Sequence, residues 1–176
     1  MKSPLTVLAE SGLPLLLVGG TAVQVFGYSR FTKDFDCLIA HESDAELAAV
    51  LEAADYEQFD RSPVVARYRH RQNPLLVLDT LLVNAETFAK MWAMRGNVRL
   101  ATFELPVAAP LHVIAMKLHA VKSDPRRKFR DLVDVLEIIR LKHATFSREE
   151  LHTVCQRYGT VELEEEILRT YDSRSS

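Results

Sequence analysis

The residues best placed to do chemistry lie early in the chain. Val18-Gly19-Gly20-Thr21 closes an apolar run, and Asp34 and Asp36 follow one residue apart. Strand side chains alternate faces, so Asp34 and Asp36 point one way and Phe35, Cys37 and Ile39 the other. Two ionised carboxylates held close repel each other, and a cation relieves that repulsion. Hard oxygen donors favour magnesium or manganese, held by one or two carboxylates together with substrate phosphates. Two solvated aspartates at the start of a strand would show the same spacing. Gly19 and Gly20 bare the backbone where strand gives way to helix, and glycine permits unusual torsions and close ligand approach. The helix start offers free N–H groups to an anion, and Thr21 adds a hydroxyl. An ordinary strand-to-helix turn would also use this glycine pair. Taken together, the order reads as a phosphate cradle beside a metal site.

Asp79 is the third carboxylate of interest. Its segment, Leu75-Leu76-Val77-Leu78-Asp79-Thr80-Leu81-Leu82-Val83, is apolar on both faces and reads as an interior strand. An unpaired carboxylate there is costly, so Asp79 needs a metal or a cation such as Arg67 or Arg69. Further on, Lys117 falls between Val113 and Val121 on a helical wheel, inside the apolar arc. It snorkels, meets a phosphate, or pairs with a carboxylate. Asp131 shares a stripe with Val135 and Ile138, so Lys117–Asp131 is a candidate ion pair between consecutive helices. Two basic stretches remain, Arg67-Tyr68-Arg69-His70-Arg71 and Lys122 to Arg130. Each reads either as a grip on an RNA backbone or as solvated charge.

Gly19-Gly20-Thr21, then Arg30-x-Thr32-x-Asp34-x-Asp36, then the strand-borne Asp79, resembles the nucleotidyltransferase superfamily with the polymerase-beta-like fold. The likeness is nearest to AbiEii-type small bacterial nucleotidyltransferases, which include toxins of toxin–antitoxin systems. It continues through Ala115-Met116-Lys117-Leu118-His119-Ala120 and Arg126-Arg127-Lys128-Phe129-Arg130-Asp131-Leu132-Val133-Asp134, covering roughly residues 13–140. The resemblance implies transfer of a nucleoside monophosphate from a nucleoside triphosphate to a hydroxyl, with release of pyrophosphate. It implies Asp34, Asp36 and Asp79 as metal ligands, with two magnesium or manganese ions when triphosphate is bound. Gly19, Gly20, Thr21, Arg30 and Lys117 are implied as nucleotide contacts, and Asp131 completes the site with Lys117. The implied acceptor is an RNA end, tRNA above all, and the implied partner is a cognate antitoxin. A protein side chain and an antibiotic such as an aminoglycoside are alternative acceptors. A non-catalytic nucleotide-binding or interaction protein of the same fold is a different class of reading.

The elements that must position these residues are legible in outline. Residues 3–11 read as a helix capped by Ser3 with Pro4 at its first position. Leu13 to Val18 and Asp34 to Ile39 read as strands, with a short helix from Thr21 to Phe26 between them. Ser43 to Ala54 and Glu86 to Met94 read as helices. Val64 to Arg71 and Leu75 to Val83 read as a hairpin about Gln72-Asn73-Pro74, and Val98 to Leu105 as one further strand. After Pro110 the spacing is helical over 111–123, 128–142, 147–157 and 161–171. The expected fold is α/β (α+β): a small mixed sheet flanked by helices, then a C-terminal helical bundle. The expected division is 1–106 and 107–176, the second portion packed on the first as one compact unit.

Composition narrows the classes. The 176 residues are 48% apolar and 26% charged, as in a globular protein. No apolar run approaches the ~20 residues of a membrane span, and no basic segment with an apolar signal core opens the chain. Cys37 and Cys155 are the only cysteines, which excludes a disulfide framework or zinc ribbon and fits a reducing cytoplasm. A net charge of −2 argues against bulk nucleic-acid binding and leaves room for a local basic patch. The six histidines show no metal-type spacing, and neither a Gly-x-Ser-x-Gly elbow nor a Walker loop is present.

Overall fold

Ser3 starts the first helix as its neighbours suggest. Its hydroxyl oxygen accepts from the Thr6 amide, Pro4 takes the first helical position, and α1 (Pro4–Ser11) ends at Gly12 with φ +67°. The computed structural model describes residues 1–32, 34–100 and 103–174. Two compact units account for the chain, Met1–Ala22 with Phe31–Ala108 and Val23–Arg30 with Ala109–Ser176.

The first unit is built on a seven-stranded mixed sheet. Its strands are β1 (Leu16–Leu17), β2 (Asp34–Ala40), β3 (Tyr56–Arg61), β4 (Val65–His70), β5 (Asn73–Val83), β6 (Gly96–Leu100) and β7 (Phe103–Val107). Their order across the sheet is β3-β4-β5-β2-β1-β7-β6. Pairing is parallel for β2 with β5 and for β1 with β7, and antiparallel elsewhere. Leu15 to Val18, with Cys37, Leu38 and Ile39, are fully buried, so β1 and β2 form the floor of this core. Fully burying each such aliphatic side chain contributes about 1.5–3 kcal/mol. Helix α3 (Asp44–Ala53) buries Leu47 and Leu51, one turn apart, and packs against α1 and β3. Helix α4 (Ala85–Ala93) is capped by Asn84, whose side chain accepts from the Thr87 amide.

Three strand expectations change. The run Leu13 to Val18 yields only two ladder residues; Pro14 has no N–H to give a ladder. The single strand expected over Val98 to Leu105 is two antiparallel strands, β6 and β7, with Leu100 opposite Phe103; residues 101 and 102 lie outside the described residues. β3 was not anticipated, because Tyr-Glu-Gln-Phe-Asp-Arg carries neither an apolar run nor clean alternation. It is an edge strand held by its pairing with β4.

The second unit consists of α5 (Pro110–Ser123), α6 (Lys128–Lys142), α7 (Arg148–Tyr158) and α8 (Val161–Asp172) together with the segment Val23–Arg30. α5 packs on α6 and α7, and α8 packs on α6 and α7. Val113, Ile114, Leu118 and Val121 on α5 meet this core at helical spacing, as do Val135, Ile138 and Ile139 on α6. Ser147 and Glu150 form a reciprocal capping box at the start of α7. Among the described residues, no helix is long and apolar enough to cross a membrane.

Candidate active site

The Gly-Gly-Thr turn is organised around Asp36. The helix α2 (Gly19–Val25) begins at Gly19, whose φ is +55°. The Gly20 amide donates to Oδ2 of Asp36 at 2.8 Å, and the Thr21 amide approaches the same oxygen at 3.4 Å. In return the Asp36 amide donates to the buried Thr21 hydroxyl at 2.8 Å. A Cβ on Gly19 would meet the Asp36 side chain at 2.6–2.9 Å, so glycine is required there for both torsion and space. The amides and hydroxyl that the sequence suggested for phosphate are engaged with a carboxylate in this structure.

The strand register then lines up charged side chains on one face. In the parallel β2–β5 pair, Asp36 lies opposite Asp79 and Asp34 opposite Val77. Adjacent strands run about 4.8 Å apart and registered neighbours share a face, so Asp34, Asp36 and Asp79 face the same way. The row continues outward, with Arg67 on β4 opposite Asp79 and Asp60 on β3 opposite Arg67. Arg67 Nε lies 3.3 Å from Asp79 Oδ2, and Arg67 Nη1 donates to Asp60 Oδ2 at 3.0 Å. The cation named as one alternative for Asp79 is therefore present. Oδ1 of Asp79 is buried and, among the described residues, has no hydrogen-bond partner. Burial lifts the Asp79 carboxylate above its ordinary value; Arg67 opposes that shift and the charge of Asp34 adds to it.

These residues suit a hard divalent cation in chemistry and orientation. Three carboxylates face one way, and one of them keeps a buried oxygen unused. Among the described residues, however, no three His, Cys, Asp or Glu side chains are gathered as a ready ligand cluster. Asp36 is turned to the Gly20 amide and Asp79 to Arg67. On the opposite face of β2, burial pushes the Cys37 thiol up to about 12, which keeps it protonated and inert.

In the second unit a buried ion network joins the later sequence candidates. Lys117 Nζ lies 3.1 Å from Asp131 Oδ1 and 2.6 Å from Asp134 Oδ2. Arg127 Nε donates to Asp131 Oδ2 at 2.7 Å. Arg30 Nη2 donates to Asp134 Oδ2 at 2.8 Å, and Arg30 Nε lies 2.7 Å from Asp134 Oδ1. Lys117, Asp131 and Asp134 are 5%, 0% and 1% exposed. The ion pair that the helical wheel suggested is formed, and Asp134 and Arg127 enlarge it. Burial raises the Asp131 carboxylate, but Lys117 and Arg127 outweigh it and hold it below the ordinary value.

Arg67 and Arg69 share one side of β4, while Arg71, expected on the same face, lies just past its end after an irregularity at His70; acids on and beside β3 answer all three: Asp60, Glu57 and Asp55. That stripe is largely neutralised. The second basic stretch is answered only in part: Arg126 pairs with Asp124, and Arg127 and Arg130 pair with Asp131. Residues 122–130 carry five cations against one carboxylate, and Phe129 among them is 89% exposed. Asp60 escaped the sequence reading altogether. Its place depends on a register shift between Gln58 and Asp60, which leaves Phe59 unpaired and sets Asp60 opposite Arg67. No sequence pattern announces that shift. Lys33, inside the Arg30 to Asp36 motif, lies outside the described residues.

A family model described as "Nucleotidyl transferase AbiEii toxin, Type IV TA system" matches residues 78–174, more than half of the chain. The match begins one residue before Asp79 and takes in Lys117, Asp131 and Asp134. Among curated proteins, none matches the chain by sequence. Solved structures share the fold. Antibiotic-resistance factor ANT(2'')-Ia in complex with adenylyl-2''-tobramycin is 18% identical, with 98% of this chain and 94% of that one covered at a TM-score of 0.57. An antigenic nucleotidyltransferase-like protein from Paracoccidioides brasiliensis is 13% identical, with 89% and 84% covered and a TM-score of 0.53. The lincosamide antibiotic adenylyltransferase LnuA, lincomycin-bound, is 15% identical, with 70% and 84% covered and a TM-score of 0.52.

Proposed function

This chain belongs to the AbiEii nucleotidyl transferase family, and from that premise we propose that it moves a nucleoside monophosphate from a nucleoside triphosphate to a hydroxyl of an RNA, with tRNA the foremost candidate. The observation that carries the reading is the pairing of Asp36 with Asp79 across parallel strands, with Oδ1 of Asp79 buried and without a hydrogen-bond partner among the described residues. Asp34, Asp36 and Asp79 would hold magnesium or manganese, two ions with the triphosphate bound. Such ions, when bound, neutralise the phosphates and stabilise the entering and leaving oxygens of an in-line displacement.

The chain's own residues supply the rest. In the reaction, the acceptor oxygen bonds to the α-phosphorus, the bond to pyrophosphate breaks, and the hydroxyl proton passes to the Asp79 carboxylate. Gly19 keeps the backbone open beside Asp36, and the amides of Gly20 and Thr21 fix that carboxylate's direction. Lys117, Asp131 and Arg30 enter with a narrower role than the resemblance implies: ion-paired, with Lys117 and Asp131 buried, they hold α5, α6 and the segment before Phe31 in one arrangement.

The exposed basic segment with Phe129 supports a single-stranded RNA acceptor, since it joins phosphate attraction to a stacking surface. The toxin description of the family supports an antitoxin as partner and the cytoplasm as the place of work. A second reading, adenylylation of an antibiotic, is favoured by the near whole-length likeness to ANT(2'')-Ia. Label transfer from each of the four triphosphates into total tRNA, total protein and aminoglycosides tests these readings together. Label in tRNA from the wild type but not from Asp79→Asn bears out the proposal. Label only in aminoglycosides replaces the acceptor, and no transfer to any of them with either metal sinks it.

A further inference from the structure

We propose that Arg67 is a displaceable stand-in for the cation at Asp79, with Asp60 as its second berth, and that this arrangement sets how tightly a divalent metal binds. The inference rests on the metal reading above and deepens it.

Asp79 needs a positive neighbour, because a half-buried carboxylate on an interior strand loses hydration. Arg67 meets that need only in part. One nitrogen approaches Oδ2 at 3.3 Å, and Oδ1 has no hydrogen-bond partner among the described residues. A guanidinium committed to a carboxylate grips it with two parallel bonds. Elsewhere in this protein Arg30 sets two guanidinium nitrogens against the two oxygens of one carboxylate, Asp134, at 2.7 and 2.8 Å. Arg67 instead divides its fork between carboxylates on two neighbouring strands. Its side chain is 46% exposed, and Asp60 is more exposed still, so the guanidinium can move toward solvent without being stranded. The register shift before Asp60 makes this geometry: without it, Phe59 would face Arg67.

The consequence is competition. A dication among Asp34, Asp36 and Asp79 and a guanidinium on Asp79 draw on the same negative charge and repel each other. Metal entry then favours Arg67 turning wholly to Asp60. This also accounts for three carboxylates that face one way without closing into a cluster: one of them is engaged by Arg67.

The test is Mn2+ titration of the full chain without nucleotide, following free Mn2+ by electron paramagnetic resonance, with circular dichroism confirming that each variant folds. Arg67→Gln should tighten Mn2+ binding roughly two- to fivefold, the range of one partly exposed charge interaction. Asp60→Asn should weaken it, because Arg67 loses its alternative. Arg67→Lys, which keeps the charge, should stay near the wild type. In the Arg67→Gln background Asp60→Asn should change little, which separates an effect through Arg67 from simple loss of a nearby negative charge. If Asp79→Asn abolishes binding while Arg67→Gln leaves it unchanged or weaker, the stand-in idea is wrong and the metal site stands. If the wild type binds no Mn2+, or Asp79→Asn binds it equally well, both ideas fall.

Discussion

Gly19 and Asp36 are built against each other: a Cβ on Gly19 would lie 2.6 Å from Cγ of Asp36, and the Gly20 amide that follows donates to the same carboxylate. Gly19→Ala therefore carries two penalties. The left-handed backbone alone costs about 1–2 kcal/mol for a residue with a side chain. The clash adds to this by pushing Asp36 aside. Thermal unfolding should show the loss, and Mn2+ binding should weaken with it. In an Asp36→Ala background, where two of the three closest atoms are gone, the added cost of Gly19→Ala should shrink. Equal costs in both backgrounds would mean that Asp36 is not what the glycine accommodates.

Lys117 sits between Asp131 and Asp134 with its ammonium buried. Lys117→Met fills the apolar arc but leaves two buried carboxylates with one cation fewer. Breaking a buried pair from one side costs about 3–5 kcal/mol, so the midpoint of thermal unfolding should fall on the order of 10 °C. The stabilisation gained on adding triphosphate should change little. A variant that melts at or above the wild-type temperature and no longer responds to triphosphate would instead make Lys117 a phosphate contact.

How far the sequence discloses this protein depends on whether a residue's partners are local. The Asp34/Asp36 face, the interior strand of Asp79 and the inward lean of Lys117 and Asp131 follow from periods of 2.0 and 3.6, and all of them hold. Ser3, Pro4 and Pro110 mark helix starts because capping is a short-range matter. Whatever depends on partners far along the chain is not legible in the same way. Thr21 reads as a free hydroxyl until β2 brings the Asp36 amide to it, fifteen residues on. β3 is polar and nearly patternless, so neither the strand nor Asp60 is visible before the sheet is assembled. The arginine stripe of β4 looks like an anion grip only while the acids of β3 are out of view.

Acid should expose the Asp131 network. Its carboxylate titrates below its ordinary value of 3.8, so near that pH the folded chain binds fewer protons than the unfolded one. Stability from this group is complete above the unfolded value and is lost as pH falls through the folded one. Denaturant midpoints measured from pH 6 to about 2.5 should show the advantage of the wild type over Asp131→Asn shrinking with acidification. Asp79, shifted upward, runs the other way: the fold favours its protonated form, so its contribution improves as pH falls. A constant gap between wild type and Asp131→Asn across the range would mean that the buried carboxylate is not held by Lys117 and Arg127 as described.

Phe129 is the side chain whose exposure is hardest to reconcile with a purely structural α6. It opens that helix at 89% exposure, one turn before the half-exposed Val133, inside a segment with five cations and one carboxylate. An aromatic side chain left in water loses its hydrophobic stabilisation, whereas one beside phosphate-seeking cations can stack on an unpaired base. Phe129→Ala should therefore leave the fold and triphosphate binding intact. It should weaken binding of single-stranded RNA by about 1–3 kcal/mol, the contribution of one stacked base. Lys122→Ala and Lys128→Ala should act differently, each lowering the slope of log affinity against log salt by about one while weakening all RNA sequences alike. Fluorescence anisotropy with a labelled tRNA 3′ end, repeated over a salt series, reads both effects. Unchanged affinity in Phe129→Ala, or a salt slope insensitive to both lysines, would remove this surface from acceptor binding and leave the antibiotic reading as the stronger one.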